Sequence, residues 1–147
     1  MKSSPIVILL YLIFGFSGCA TFEDVSYRSV KNKMDLLDLS NGVNDQEAIV
    51  LAQHFIISKG MGDRLYTLKP ISAEKKNVWQ SLEGRVEFYI PPGDDFQGEV
   101  QQYWMVLFRD KEGSQFFGHY PVIPFYVKVD AKSGEIIRWG LKTDDVK

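Results

Sequence analysis

Apolar and polar positions change rhythm twice along this chain. Ile6 to Phe16, IVILLYLIFGF, is an unbroken apolar run behind Lys2. It is shorter than the roughly 20 residues a membrane-crossing helix needs and matches the hydrophobic part of a secretory signal. From Asn44 to Lys59 the apolar residues return at helical spacing. At about 100° per residue, Leu51, Phe55, Ala48, Ala52, Ile56 and Ile49 fill one continuous arc. Gln46, Glu47, Gln53 and His54 lie on the other side, with Val50 and Ile57. Asn44 and Glu47 have the spacing of a capping box, and Gly60 can take the left-handed conformation that stops a helix. Alanines on the arc predict close approach to a flat partner, a sheet, with Phe55 buried between them. Val30, Met34 and Leu37 also recur at helical spacing, which predicts a short, loosely docked helix within Ser29 to Leu39.

Beyond Gly62 the period falls to two. Leu65 to Ile71 reads as a strand pushed toward a sheet edge by Pro70, which has no N–H to donate. Ser72 to Glu83 fits either a helical face, through Val78, Trp79 and Leu82, or a hairpin arm. Arg85 to Ile90 alternates and stops at Pro91-Pro92-Gly93. Gln101 to Arg109, QQYWMVLFR, is the most apolar segment of this half and predicts a central strand. Asp110 to Gly113 is a turn. Phe125 to Asp130 and Glu135 to Trp139 flank Ala131-Lys132-Ser133-Gly134, a hairpin connection with glycine where positive φ is needed. The fold class expected is α+β, with one main helix packed on a curved antiparallel sheet of four to five strands.

The end of the leading apolar run sets the location. Phe16-Ser17-Gly18-Cys19 places small residues before the only cysteine among 147 residues. This resembles the lipobox of bacterial lipoproteins, in which the cysteine is lipidated and becomes the first mature residue. The resemblance implies a signal peptide over 1–18 and a lipid-anchored tether over 19–42. A single domain over 43–147 follows. Each acyl methylene adds about 0.8 kcal/mol of membrane affinity, so palmitate-type chains on Cys19 would hold the protein at a bilayer. Ala20, where aspartate commonly signals inner-membrane retention, implies the periplasmic face of the outer membrane.

Residues 125–139, FYVKVDAKSGEIIRW, are similar to the closing hairpin of PepSY-type domains. Glu47-Ala48-Ile49-x-x-Ala52 resembles the start of the helix that precedes the strands in those modules. The same layout looks cystatin-like. The Gln-x-Val-x-Gly loop of inhibitory cystatins is absent, so cysteine-protease inhibition is not implied.

Charge and side-chain inventory exclude several activities. A formal charge of -2 and a pI near 5.7 leave no basic face for nucleic acid. One cysteine and two histidines cannot make a Cys/His zinc site or an internal disulfide. No G-x-S-x-G elbow, G-x-x-x-x-G-K-[ST] loop or G-x-G-x-x-G loop occurs. Glu47 and His54 share the polar side of the helix, but two turns of rise separate them. His119 sits in Gly118-His119-Tyr120-Pro121, without a third defined ligand. Asp94, Asp95 and Glu99 lack the ligand spacing of a calcium loop. No catalytic residue, metal or cofactor is therefore expected.

The surplus is aromatic, at 14% of the chain. Phe116, Phe117, Tyr120, Phe125 and Tyr126 crowd together with Pro121 and Pro124, as core or as partner surface. Rigid rings beside prolines make preorganised contacts. The partner-binding candidates are Phe117, His119, Tyr120 and Phe125. The function expected is a lipid-anchored, periplasm-facing accessory or binding lipoprotein that holds another envelope protein or peptide. The alternative is an inhibitor or immunity protein against an envelope hydrolase or toxin.

Overall fold

A computed structural model describes residues 25–80, 87–111 and 123–142. Its elements are α1 (Tyr27–Met34), α2 (Asp45–Ser58), β1 (Ser72–Gln80), β2 (Glu87–Tyr89), β3 (Gln101–Arg109), β4 (Pro124–Asp130) and β5 (Ile136–Leu141). The strands form a five-stranded sheet in the order β2-β1-β3-β4-β5, every neighbouring pair antiparallel. The α+β class expected from the sequence is present, and β3 is the central strand.

Local chemistry sets the ends of α2. The Asn44 side chain accepts from the Glu47 N–H, and the Glu47 carboxylate accepts from the Asn44 N–H, both at 2.9 Å. This reciprocal box satisfies donors that the first helical turn leaves open. Gly60, at φ 67°, follows the helix.

One face of the sheet is covered by α2. Val106 and Phe108 of β3 pair with Val127 and Phe125 of β4, and all four are buried with Ala48, Ala52 and Ile56 of the helix. The alanines permit the close approach. Trp104 donates its indole N–H to the Val43 carbonyl at 2.7 Å, which ties the entry of α2 to the sheet. Phe55 stands at the rim of this core, partly buried, with its ring 6.0 Å from that of Trp139. The β4–β5 turn passes so near the helix that a Cβ on Gly134 would lie 3.0 Å from Leu39 and 3.1 Å from Leu51, at a φ of 77°. Glycine is required there on both counts.

Three local expectations are corrected. Leu65 to Ile71 is not a strand: Leu65 makes a single antiparallel bridge to Asp110, and the chain then runs irregularly to β1. Pro70 lacks a donor, and the Thr67 hydroxyl takes the Lys69 N–H in a local turn that competes with pairing. The ambiguous segment after it supplies β1, a full strand against β3. The outer side of α2 is not polar surface: Val50 and Gln53 are both buried. α1 packs on α2 with Val30 fully buried, so it is firmly docked. Gln53 donates to the Leu68 carbonyl at 2.8 Å, so the polar group buried there is satisfied by the irregular segment.

The buried Asp110 accepts from the Arg64 guanidinium at 2.5 Å. The same guanidinium lies 5.3 Å from the centre of the Phe125 ring. These contacts clip the turn after α2 to the end of β3.

Candidate functional site

The end of the sheet near the β4–β5 turn carries an aromatic wall. Trp79, near the end of β1, is the register partner of Phe88 in β2. Their rings are 5.3 Å apart and tilted by 35°. Phe96, from the loop between β2 and β3, completes the wall with its ring 6.1 Å from Trp79 and tilted by 58°. Gly98 lies directly under Phe96, where a Cβ would collide with the ring, so the loop folds its aromatic back onto its own glycine. Phe88 and Phe96 remain 51% and 40% exposed. Large rings clustered outside the core are the kind of surface feature that marks a binding site.

Beside the wall opens a cleft of about 750 Å³, within the range of small-molecule sites. Trp79 forms one side, Gln101 and Gln102 line it from the start of β3, and Asp130 and Lys132 reach it from the β4–β5 turn. Several of these groups are held in place. Gln102 donates to the Asn77 side chain at 3.1 Å, and its backbone carbonyl accepts from the Ala131 N–H at 3.0 Å. Asp130 accepts from the Lys132 N–H at 2.9 Å, the Ser133 N–H at 2.7 Å and the Ser133 hydroxyl at 3.0 Å. Burial pulls the Asp130 carboxyl upward, but these hydrogen bonds outweigh it and hold the group below its ordinary range. The turn that borders the cleft is thus braced by an ionised side chain.

A second polar group occupies the sheet face away from α2. Lys128, only 7% exposed, contacts Glu87 at 2.5 Å, and its ammonium lies 4.6 Å from the Tyr103 ring centre. The Tyr103 hydroxyl donates to the same carboxylate at 3.4 Å. Burial, then the charge of Glu87, pushes the Tyr103 phenol up to about 12. The Lys128 ammonium and the Tyr103 hydroxyl converge on one Glu87 carboxylate oxygen, which makes the group a structural tie between β2, β3 and β4.

The residues singled out in the sequence do not converge. His54 is exposed, whereas Glu47 is engaged in the helix cap. Asp94, Asp95 and Glu99 are all solvent-exposed. Phe125 is 1% exposed and belongs to the core, so it offers nothing to a partner. Tyr126 faces away from α2, over Gly140. Cys19, Phe116, Phe117, His119, Tyr120 and Pro121 lie outside the described residues. Among the described residues no three His, Cys, Asp or Glu side chains are grouped to hold a metal ion.

The aromatic wall escaped the sequence reading. Its one signal was Phe88-Tyr89, adjacent rings on opposite faces of a strand that Pro91-Pro92 ends early. Comparison with family models, curated proteins and solved structures finds no match. Among the described residues no helix is long and apolar enough to cross a membrane.

Proposed function

We propose that this protein is a lipid-anchored binding lipoprotein of the bacterial envelope. In this reading Cys19 carries the lipid, the domain faces the periplasm from the outer membrane, and the protein has no catalytic activity of its own. The observation that carries the binding role is the wall in which the exposed rings of Phe88 and Phe96 flank half-buried Trp79, beside an open, braced cleft. The anchor rests on the resemblance of Phe16-Ser17-Gly18-Cys19 to a lipobox. The fold belongs, on this proposal, with PepSY-type and cystatin-like layouts. Two features support that placement: α2 precedes the strands, and β4 and β5 form the last hairpin.

Two measurements test the reading together. Metabolic labelling with a fatty-acid analogue is lost on Cys19→Ser, and labelling that survives the substitution removes the anchor. Crosslinking in intact envelopes, compared between the natural chain and Phe88→Ala/Phe96→Ala, shows products that depend on the wall. Products unaffected by losing both rings place the binding surface elsewhere. A single hydrolase as the product identifies an inhibitor instead.

A further inference from the structure

We infer that α1 is a membrane-contact surface, whose outward side rests on the anionic phospholipid headgroups of the leaflet that holds the lipid on Cys19. The inference rests on the lipid-anchored reading and adds the face that the domain turns to the bilayer. Chain geometry narrows the choice of face. Val25, the first described residue, follows Cys19 by six residues. Even fully extended, that length keeps Val25 within ~20 Å of the lipid attachment. The first element after it is α1, eight residues and so ~12 Å long. Of the described elements, α1 therefore has the shortest covalent reach to the bilayer.

Its composition suits that position. α1 carries Arg28, Lys31 and Lys33 and no acidic residue, in a chain whose formal charge is -2. All three cations are exposed, and among the described residues none of them has an ion-pair partner. Val30 is buried against α2, so the opposite side of the helix faces outward. A shallow groove of about 430 Å³ runs along it, lined by Ser26, Arg28, Ser29, Asn32, Lys33 and Leu36. Two cations, two hydroxyls and an amide offer donors to a phosphate there, with no carboxylate among them. Asp35 and Asp38 come only after the helix, and Asp38 is occupied by the Ser40 N–H. Apolar groups complete the match. Tyr27, at the first helical position, is 64% exposed, and a tyrosine ring suits the depth of the headgroups. Leu36 is 82% exposed, the most of any large apolar side chain among the described residues, and gains by leaving water. Docking through α1 turns the sheet face that carries Lys128 and Glu87 away from the membrane.

The experiment places the processed, lipidated protein in vesicles of mixed phosphatidylglycerol and phosphatidylcholine, with phosphatidylcholine alone as the comparison. A fluorophore is attached at Asn32→Cys on α1, or at Glu74→Cys on the sheet face away from α2. Quenching by neutral acrylamide reports whether each site is shielded. The Asn32 position is shielded on anionic vesicles and open on neutral ones, and the Glu74 position is open on both. Exchanging one of the three cations for glutamine weakens docking about fivefold, equivalent to ~1 kcal/mol per basic side chain at an anionic surface. Arg28→Lys keeps the charge and retains docking, Leu36→Ser weakens it, and thermal unfolding is unchanged in each. Salt at about 1 M shortens the screening length to ~3 Å and releases the helix. An Asn32 site equally open on both vesicles, shielding at Glu74 instead, or shielding indifferent to the three cations overturns the inference and leaves the anchor standing. Shielding that vanishes in anionic nanodiscs holding one copy marks a contact between copies and overturns it too. A purified chain without a lipid adduct by mass spectrometry removes the anchor, and this surface falls with it.

Discussion

The two faces of the sheet bury side chains by different chemistry. Under α2, Val106, Phe108, Phe125, Val127 and Val129 interlock with Ala48, Ala52 and Ile56, all apolar and all out of water. On the other face Tyr103 and Lys128 are almost as deeply buried, yet that face is held by Glu87, an ammonium and aromatic rings. Dispersion and apolar burial stabilise the first face without regard to direction. Polar burial on the second costs desolvation and is offset only while each group keeps its partner. One face is held by apolar packing, and the other by a paired cluster that links β2, β3 and β4 through side chains.

This difference is open to attack, and the largest effect belongs to the helix side. Phe108→Ala opens a cavity between β3 and α2, and we expect a loss of ~3–5 kcal/mol by chemical denaturation. A loss of ~2 kcal/mol or less would mean that the helix side contributes no more than the other face. Lys128→Ala leaves Glu87 without its close cation. Because the Glu87 side chain is 26% exposed, water recovers part of the cost, and we expect ~2 kcal/mol. Lys128→Met combined with Glu87→Gln should restore most of that stability, since neither charge is then stranded. Gln53→Ala strips the Leu68 carbonyl of its donor and should cost ~1–2 kcal/mol, whereas the adjacent exposed His54→Ala should stay within ~0.5 kcal/mol.

The smallest effect at neutral pH belongs to Tyr103→Phe, and its signature lies in the alkaline limb. The folded phenol titrates near 12 against an ordinary value of 10. The folded state therefore holds its proton more tightly, and the stability this contributes is complete below pH 10. It is lost as pH rises toward 12. Tyr103→Phe should flatten that part of the stability–pH curve, and phenolate absorbance should lose its latest-titrating component. An unchanged alkaline limb would show that the open face is wetter than its burial indicates.

The helix was easy to read because its information is local. Asn44, Glu47 and Gly60 act within a few residues of one another, and the apolar arc needs only a period. Its neighbours were harder. Gln53 and His54 are adjacent and both polar, yet only Gln53 points to the irregular segment that carries Leu68. Nothing within α2 distinguishes them. β1 shows the same difficulty at strand scale: SAEKKNVWQ is polar at positions facing both sides of the sheet, so alternation is faint. Only pairing with β3 makes it a strand.

By itself the sequence determined the α+β class, the extent and capping of α2, the central place of QQYWMVLFR and the glycine turn before β5. Each depends on interactions between residues close in the chain, or on a periodicity the chain displays directly. Tertiary structure alone decided that α1 docks on the outer side of α2 through Val30. It also moved Phe125 from candidate contact to core, and gathered Trp79, Phe88 and Phe96 into one wall. Those outcomes turn on which segments meet, and whether a side chain is buried depends on neighbours far away in sequence. An aromatic ring is equally suited to a core and to a binding surface; its place in the sheet decides which it becomes.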